Sequence, residues 1–157
     1  HFLTLDDRTD RAEITLFDRV FEQCRAALVK NTVVVVEGDV SADEYTGGYR
    51  LVAKDVYTLT QARERLGTVL RVHLHPHADA AHTQAVLRTL GAHAGGPAPV
   101  WVECGQAARA WFMLGADLRV RPEDALAERL RELPGVAHVD FRPGPPVSAS
   151  IPARAAA

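Results

Sequence analysis

Two rhythms of apolar and polar residues alternate along this chain, one with the period of a strand and one with that of a helix. Residues 2–5 and 12–17 carry strand-like runs on either side of a polar turn at 6–10. Val20, Phe21, Cys24, Ala27 and Leu28 then recur at helical spacing and predict a helix over 18–30, with Asp18 as its N-cap. Val33, Val34, Val35 and Val36 form a continuous β-branched run, the pattern of a strand buried on both faces. After an acidic loop closed by Gly47 and Gly48, residues 49–56 mix apolar positions with Arg50 and Lys54, which share one face at the two-residue period.

The texture changes near residue 59. Residues 60–66 are polar and helix-prone, and Gly67 stops them. An alternating strand over 69–74 follows, then a helix that Asp79 caps and Gly91 ends, carrying Val86, Leu87 and Leu90. Gly95-Gly-Pro97 reads as a loop, residues 99–102 and 108–114 as strands, and Pro122 as the start of a helix. That helix has Glu123 and Asp124 in its first turn and Leu126, Leu130 and Leu133 as its buried stripe. Pro134-Gly135 stops it, and residues 136–141 read as a last strand.

This pattern divides the chain into residues 1–58, a linker helix at 59–67, a small α+β domain at 68–141, and a tail at 142–157. The tail is rich in Pro and Ala and lacks the apolar content to fold. In the first domain the order is strand, strand, helix, strand, strand. With one strand restored at the front, this is the order of a five-stranded OB barrel whose helix plugs one end. The fold class is thus mixed, an incomplete all-β OB barrel followed by a small α+β domain. The chain lacks an initial Met and reads as strand from its second residue, so a fragment of a longer protein is expected.

Composition narrows the classes further. With 157 residues and 47% hydrophobic content the chain can bury an ordinary core, and no apolar run reaches the roughly 20 residues needed to span a bilayer. A cytoplasmic setting is expected. Cys24 and Cys104 lack the close spacing of a redox pair or a zinc knuckle and read as reduced, buried thiols. The stretch His73-Leu-His75-Pro-His77-Ala-Asp79, followed by His82, raises the alternative of a zinc or other divalent-metal enzyme. Arg71 shares the strand face of His73 and His75 and would set a cation beside any metal, so a solvated polar face is the preferred reading. No Gly-rich phosphate loop, nucleophile elbow or Ser/His/Asp pattern is present, so no catalytic residue, metal or cofactor is assigned.

Residues 2–9, Ala12-Glu13, Phe17, Val20-Phe-Glu22, Val35-Val-Glu-Gly38, Tyr45-Thr-Gly-Gly48 and Ala62-Arg63 together resemble the OB region of the bacterial replicative DNA polymerase III alpha subunit. Pro99-Val-Trp-Val102, residues 115–120 and residues 122–133 resemble the small domain that ends that polypeptide and binds the tau subunit of the clamp loader. Asp10 departs from the family at a turn position where Gly is common. The resemblance implies a noncatalytic part of a DNA-directed polymerase, itself a nucleotidyltransferase. The family's palm carboxylates, PHP domain and clamp-binding peptide all precede this region, as would its contacts with other replisome subunits. Partners implied are single-stranded DNA, bound weakly, and tau.

On physical grounds, single-strand binding by an OB fold combines cations along a groove with aromatic platforms. Arg8, Arg11, Tyr45, Tyr49, Arg50 and Lys54 are the candidates, with the two tyrosines packing on the barrel as the alternative. Residues 1–67 carry 9 Lys plus Arg against 12 Asp plus Glu, a balance of −3, so any affinity is modest and salt-sensitive. For the second domain Trp111, Phe112, Arg119 and Arg121 are the partner-binding candidates, because Trp and Arg dominate interface hot spots. Arg119 and Arg121 are expected on one strand face, and Trp101 is assigned to core packing.

Overall fold

The computed structural model describes residues 1–43, 47–105 and 108–144. Its strands and helices cluster into two compact units, His1–Ala62 and Arg63–Ala157.

In the first unit, β1 (Phe2–Asp6) and β2 (Arg11–Thr15) form an antiparallel hairpin. Its turn is organised by Asp7, whose carboxylate accepts from the Thr9 hydroxyl at 2.6 Å and from the backbone N–H groups of Thr9 and Asp10. Those bonds hold the Asp7 carboxyl down at about 2, the Thr9 hydroxyl contributing most. Helix α1 (Asp18–Cys24) follows, then β3 (Val34–Ala42) and β4 (Tyr49–Thr58), giving the strand order β1-β2-β4-β3. β2 and β4 run parallel, with Ile14 opposite Leu51. The result is an open four-stranded sheet, consistent with an incomplete OB barrel.

Three local expectations fail for physical reasons. Helix α1 ends at Cys24 because the next bonds tighten to shorter spans, Ala27 N–H to Cys24 O and Leu28 N–H to Arg25 O. Asp18 is its first helical residue, and Phe17 occupies the N-cap with no side-chain hydrogen bond. Val34, Val35 and Val36 lie on an edge strand, since among the described residues β3 pairs only with β4; they are half-buried, and Val33, just before the strand, is 67% exposed. β-branching there reflects strand propensity, not two-sided burial.

A β-bulge in this hairpin resets the strand alternation. Glu37 pairs with Asp55 and Gly38 with Ala53, which leaves Lys54 as the extra residue on β4. Buried positions accordingly step from Ala53 to Val56. Gly38 is required at the bulge, because a Cβ there would lie 2.3 Å from the Val52 carbonyl oxygen. Ile14, Leu16, Cys24, Ala53 and Val56 form the core of this unit, and burial pushes the Cys24 thiol up in pKa.

Helix α2 (Leu59–Leu66) ends at Gly67, whose φ of 76° places it in the left-handed region that stops a helix. Arg63 ties the end of α2 into the second unit: its guanidinium donates to the Pro122 carbonyl and the Asp124 carboxylate and lies 4.3 Å from the Phe141 ring centre. The second unit then comprises β5 (Thr68–Leu74), α3 (Ala80–Ala92), β6 (Ala94–Ala98), β7 (Val100–Cys104), β8 (Ala110–Met113), α4 (Asp124–Arg131) and β9 (Val136–Pro143). Its sheet order is β8-β7-β5-β9, with β5 and β7 parallel across the α3 crossover and the outer pairs antiparallel. Leu70, Val72 and Leu74 of β5 form one core with Val86 and Leu90 of α3 and Leu126 and Leu130 of α4. Asp79 caps α3 through a reciprocal box: its carboxylate accepts from the His82 N–H at 3.0 Å, and His82 Nδ1 accepts from the Asp79 N–H at 3.2 Å.

Here too the structure corrects the sequence reading. Gly95, Gly96 and Pro97, expected in a loop, belong to β6, which bridges Val120 from Ala94 and Ala98. A Cβ on Gly96 would sit 2.0 Å from the Val120 carbonyl carbon, so glycine here marks backbone approach, not a turn. Pro122 precedes α4, whose N-cap is Glu123. β9 continues through Pro143, two residues into the expected tail, while residues 145–157 lie outside the described residues. No helix among the described residues is long and apolar enough to cross a membrane.

Candidate functional site

The candidate DNA-contacting residues of the first unit fall into two groups. Arg8 and Arg11 line an open groove between the β1–β2 turn and residues 31–34. Asp6, Asp7 and Asp10 line it as well, so the groove holds more acids than bases. Arg11 is engaged by Asp6 at 2.8 Å, whereas Arg8, with a φ of 72°, has no ion pair among the described residues. The other group sits on β4. Tyr49 is 81% exposed rather than packed on the sheet, and neighbouring Arg50 points to the opposite face, as adjacent strand residues must. Lys54 is held by Asp39 at 2.6 Å, and this hydrogen bond raises its pKa. Tyr45 lies outside the described residues. Among the described residues, Arg8 and Arg50 are therefore the candidate cations that form no ion pair.

In the second unit the candidates separate as well. Trp111 and Phe112 are successive residues of β8 and point to opposite faces. Arg119 and Arg121 flank buried Val120 beside β6, not on a strand of the sheet. The Arg119 carbonyl accepts from the N–H groups of Gly95 and Gly96, and Arg121 reaches Glu64 at 3.6 Å. Trp101 is half-buried in mid-strand.

What the structure adds is a charged network on the sheet face opposite the helices. Cross-strand register sets Arg71 between Trp101 and Asp140, and His73 between Glu103 and His138. Glu103 accepts from His73 Nδ1 at 2.7 Å and from Arg109 at 3.0 Å. Asp140 takes Arg142 at 2.5 Å, with Arg71 Nε at 3.4 Å and His73 Nε2 at 3.7 Å. Those last two contacts are ion-pair approaches, and among the described residues the three facing atoms make no hydrogen bond. Burial pushes the Asp140 carboxyl up, but Arg142 and Arg71 together overcome it and the net shift is downward. The Arg71 guanidinium stacks 4.7 Å from the Trp111 ring centre, and His73 meets that ring edge-on at 4.8 Å.

This face is not the solvated surface expected for Arg71 and His73. The side chains of His73, Glu103 and Asp140 are only 19%, 15% and 16% exposed. Period-two placement of charges in residues 71–73, 101–103 and 138–142 was the available signal, but sequence alone does not say which strands are neighbours. The histidine alternative is not assembled: His73 is committed to Glu103 and His82 to the α3 cap. Among the described residues no group of three His, Cys, Asp or Glu could hold a metal ion.

Comparison with known proteins places this geometry. Residues 1–59 match the family model described as OB-fold nucleic acid binding domain (tRNA anti-codon). The DNA polymerase III subunit alpha of Pseudomonas aeruginosa is 38% identical over 132 residues, 83% of this chain and 11% of that protein. Those of Escherichia coli K12 and Vibrio cholerae are each 34% identical over 88% of this chain and 12% of theirs. The chain thus spans about a tenth of the length of the curated relatives it matches. Residues 1–59 are an OB-fold domain, and the chain as a whole is similar to a segment of bacterial DNA polymerase III alpha subunits.

Proposed function

We propose that this chain is a noncatalytic segment of a replicative DNA polymerase of the polymerase III alpha type. In this reading the OB unit contacts single-stranded template and the second unit contacts the tau subunit of the clamp loader. The observation that carries it is the extent of the similarity, which runs over 132 to 141 residues and so includes both units, whereas an OB match alone ends at residue 59. The physics of the OB unit supports contact that is weak and electrostatic: Arg8 and Arg50 are available for phosphates and Tyr49 for stacking. Two phosphate contacts on a single strand give a log–log salt slope of about −1.4.

The tau assignment is tested by co-purification. Full-length chain is expected to retain tau on an affinity column, and deletion of residues 68–157 is expected to abolish retention. Undiminished retention by the deletion would reassign the contact to the OB unit.

A further inference from the structure

Strand β8 (Ala110–Met113) is an edge strand, pairing among the described residues only with β7. Its sequence, Ala-Trp-Phe-Met, carries none of the Lys, Pro or inward charge that usually guards an edge. Phe112 is 55% exposed on one face and Met113 47% exposed on the other. An unguarded apolar edge is a template for strand addition. The neighbouring charges say what would add. Glu103 and Asp140 are covered, while the side chains of Arg71, Arg109 and Arg142 are 35%, 42% and 61% exposed. The outermost charged layer of this face is therefore cationic.

We propose that β8 accepts an extended, acidic segment of a protein partner as an added antiparallel or parallel strand. Apolar residues of that segment would cover Phe112 and Met113, and its carboxylates would meet Arg109 and Arg71 beside Trp111. The proposal rests on the reading that the second unit docks a protein, and it specifies the chemistry of that partner. Two features favour an acidic peptide over nucleic acid. The open backbone of β8 matches a peptide, and its apolar side chains match alternating apolar residues. The chain's own residues 145–157 contain Arg154 and no acid, so they lack the complementary charge.

The test is hydrogen exchange on the full chain with and without tau. Protection confined to the outward amides of β8, together with a tenfold or greater loss of affinity for Phe112→Pro and for Arg109→Glu, is the expected result. Tau binding that leaves the β8 amides unprotected would overturn the proposal while sparing the tau reading. If tau fails to bind at all, that reading falls, and labelled peptides of alternating Val and Glu or Val and Lys decide the proposal. Preferential binding of the Glu peptide that Phe112→Pro abolishes sustains it; equal binding of both, or of neither, overturns it. Protection of the same amides by oligothymidylate would instead assign the face to nucleic acid and overturn it.

Discussion

The two units differ most in how they are charged and how they are packed. Residues 1–62 hold 7 Lys plus Arg against 11 Asp plus Glu, a balance of −4, while residues 63–157 hold 11 Arg against 9 acids, a balance of +2. Among the described residues the core of the first is five residues around one short helix; that of the second is fourteen residues between a sheet and two helices. The unit that matches a nucleic-acid-binding family is thus the acidic, thinly packed one. Fold membership and electrostatic aptitude are separate properties, and only local cations such as Arg8 and Arg50 can reconcile them here.

Core truncation should expose the packing difference most strongly. Leu130, fully buried in the second unit, is expected to lose about 2–5 kcal/mol on Leu130→Ala, near the upper end because the surrounding layers cannot collapse. Leu16→Ala should fall near the lower end of that range, since its smaller cluster relaxes more easily. Native-state hydrogen exchange at β5 and β4 amides reads the two losses separately, and equal losses would break the comparison.

Next in size are the two close-approach glycines. Gly96→Ala and Gly38→Ala each drive a methyl group into neighbouring backbone, at 2.0 and 2.3 Å, and should cost about 1–3 kcal/mol each in urea denaturation. Helix starts give a smaller contrast. Asp79→Ala removes a reciprocal cap and should cost about 1 kcal/mol, whereas Asp18→Ala in α1 loses the dipole interaction and an exposed 3.4 Å contact with His1, together about 0.3–1 kcal/mol.

The smallest effect is acid titration. The folded Asp7 carboxyl lies below its ordinary value of 3.8, so the stabilisation it gives the β1–β2 turn is full above that value and is lost as pH falls toward 2. An NMR titration should show its midpoint at about 2, rising toward 3.8 in Thr9→Ala. The depressed Asp140 carboxyl follows the same sign in the second unit, losing its contribution as pH drops below the ordinary Asp range.

Much of the fold was legible because strand and helix periods are local signals. The order of strands around α1, the Asp79 cap and the Leu126 and Leu130 stripe all follow from residues a few positions apart. What was not legible depends on long-range pairing. Valine content could not tell the β3 edge from a central strand, and Gly95-Gly-Pro97 looked like a turn because the close approach of Val120 is invisible in sequence. The Lys54–Asp39 pair and the network around His73 likewise arise only when strands become neighbours. The candidate site was therefore named residue by residue, but its division into paired and available cations required coordinates.

Fluorescence anisotropy of the full chain with labelled oligothymidylate at low salt tests the central claim most directly. Saturable binding that weakens with salt and is lost in the double variant Arg8→Glu, Arg50→Glu, but not in Arg142→Glu, is the expected result. Absence of saturable binding, or binding that ignores the first pair and disappears with Arg142→Glu, would contradict the assignment of DNA contact to the OB unit.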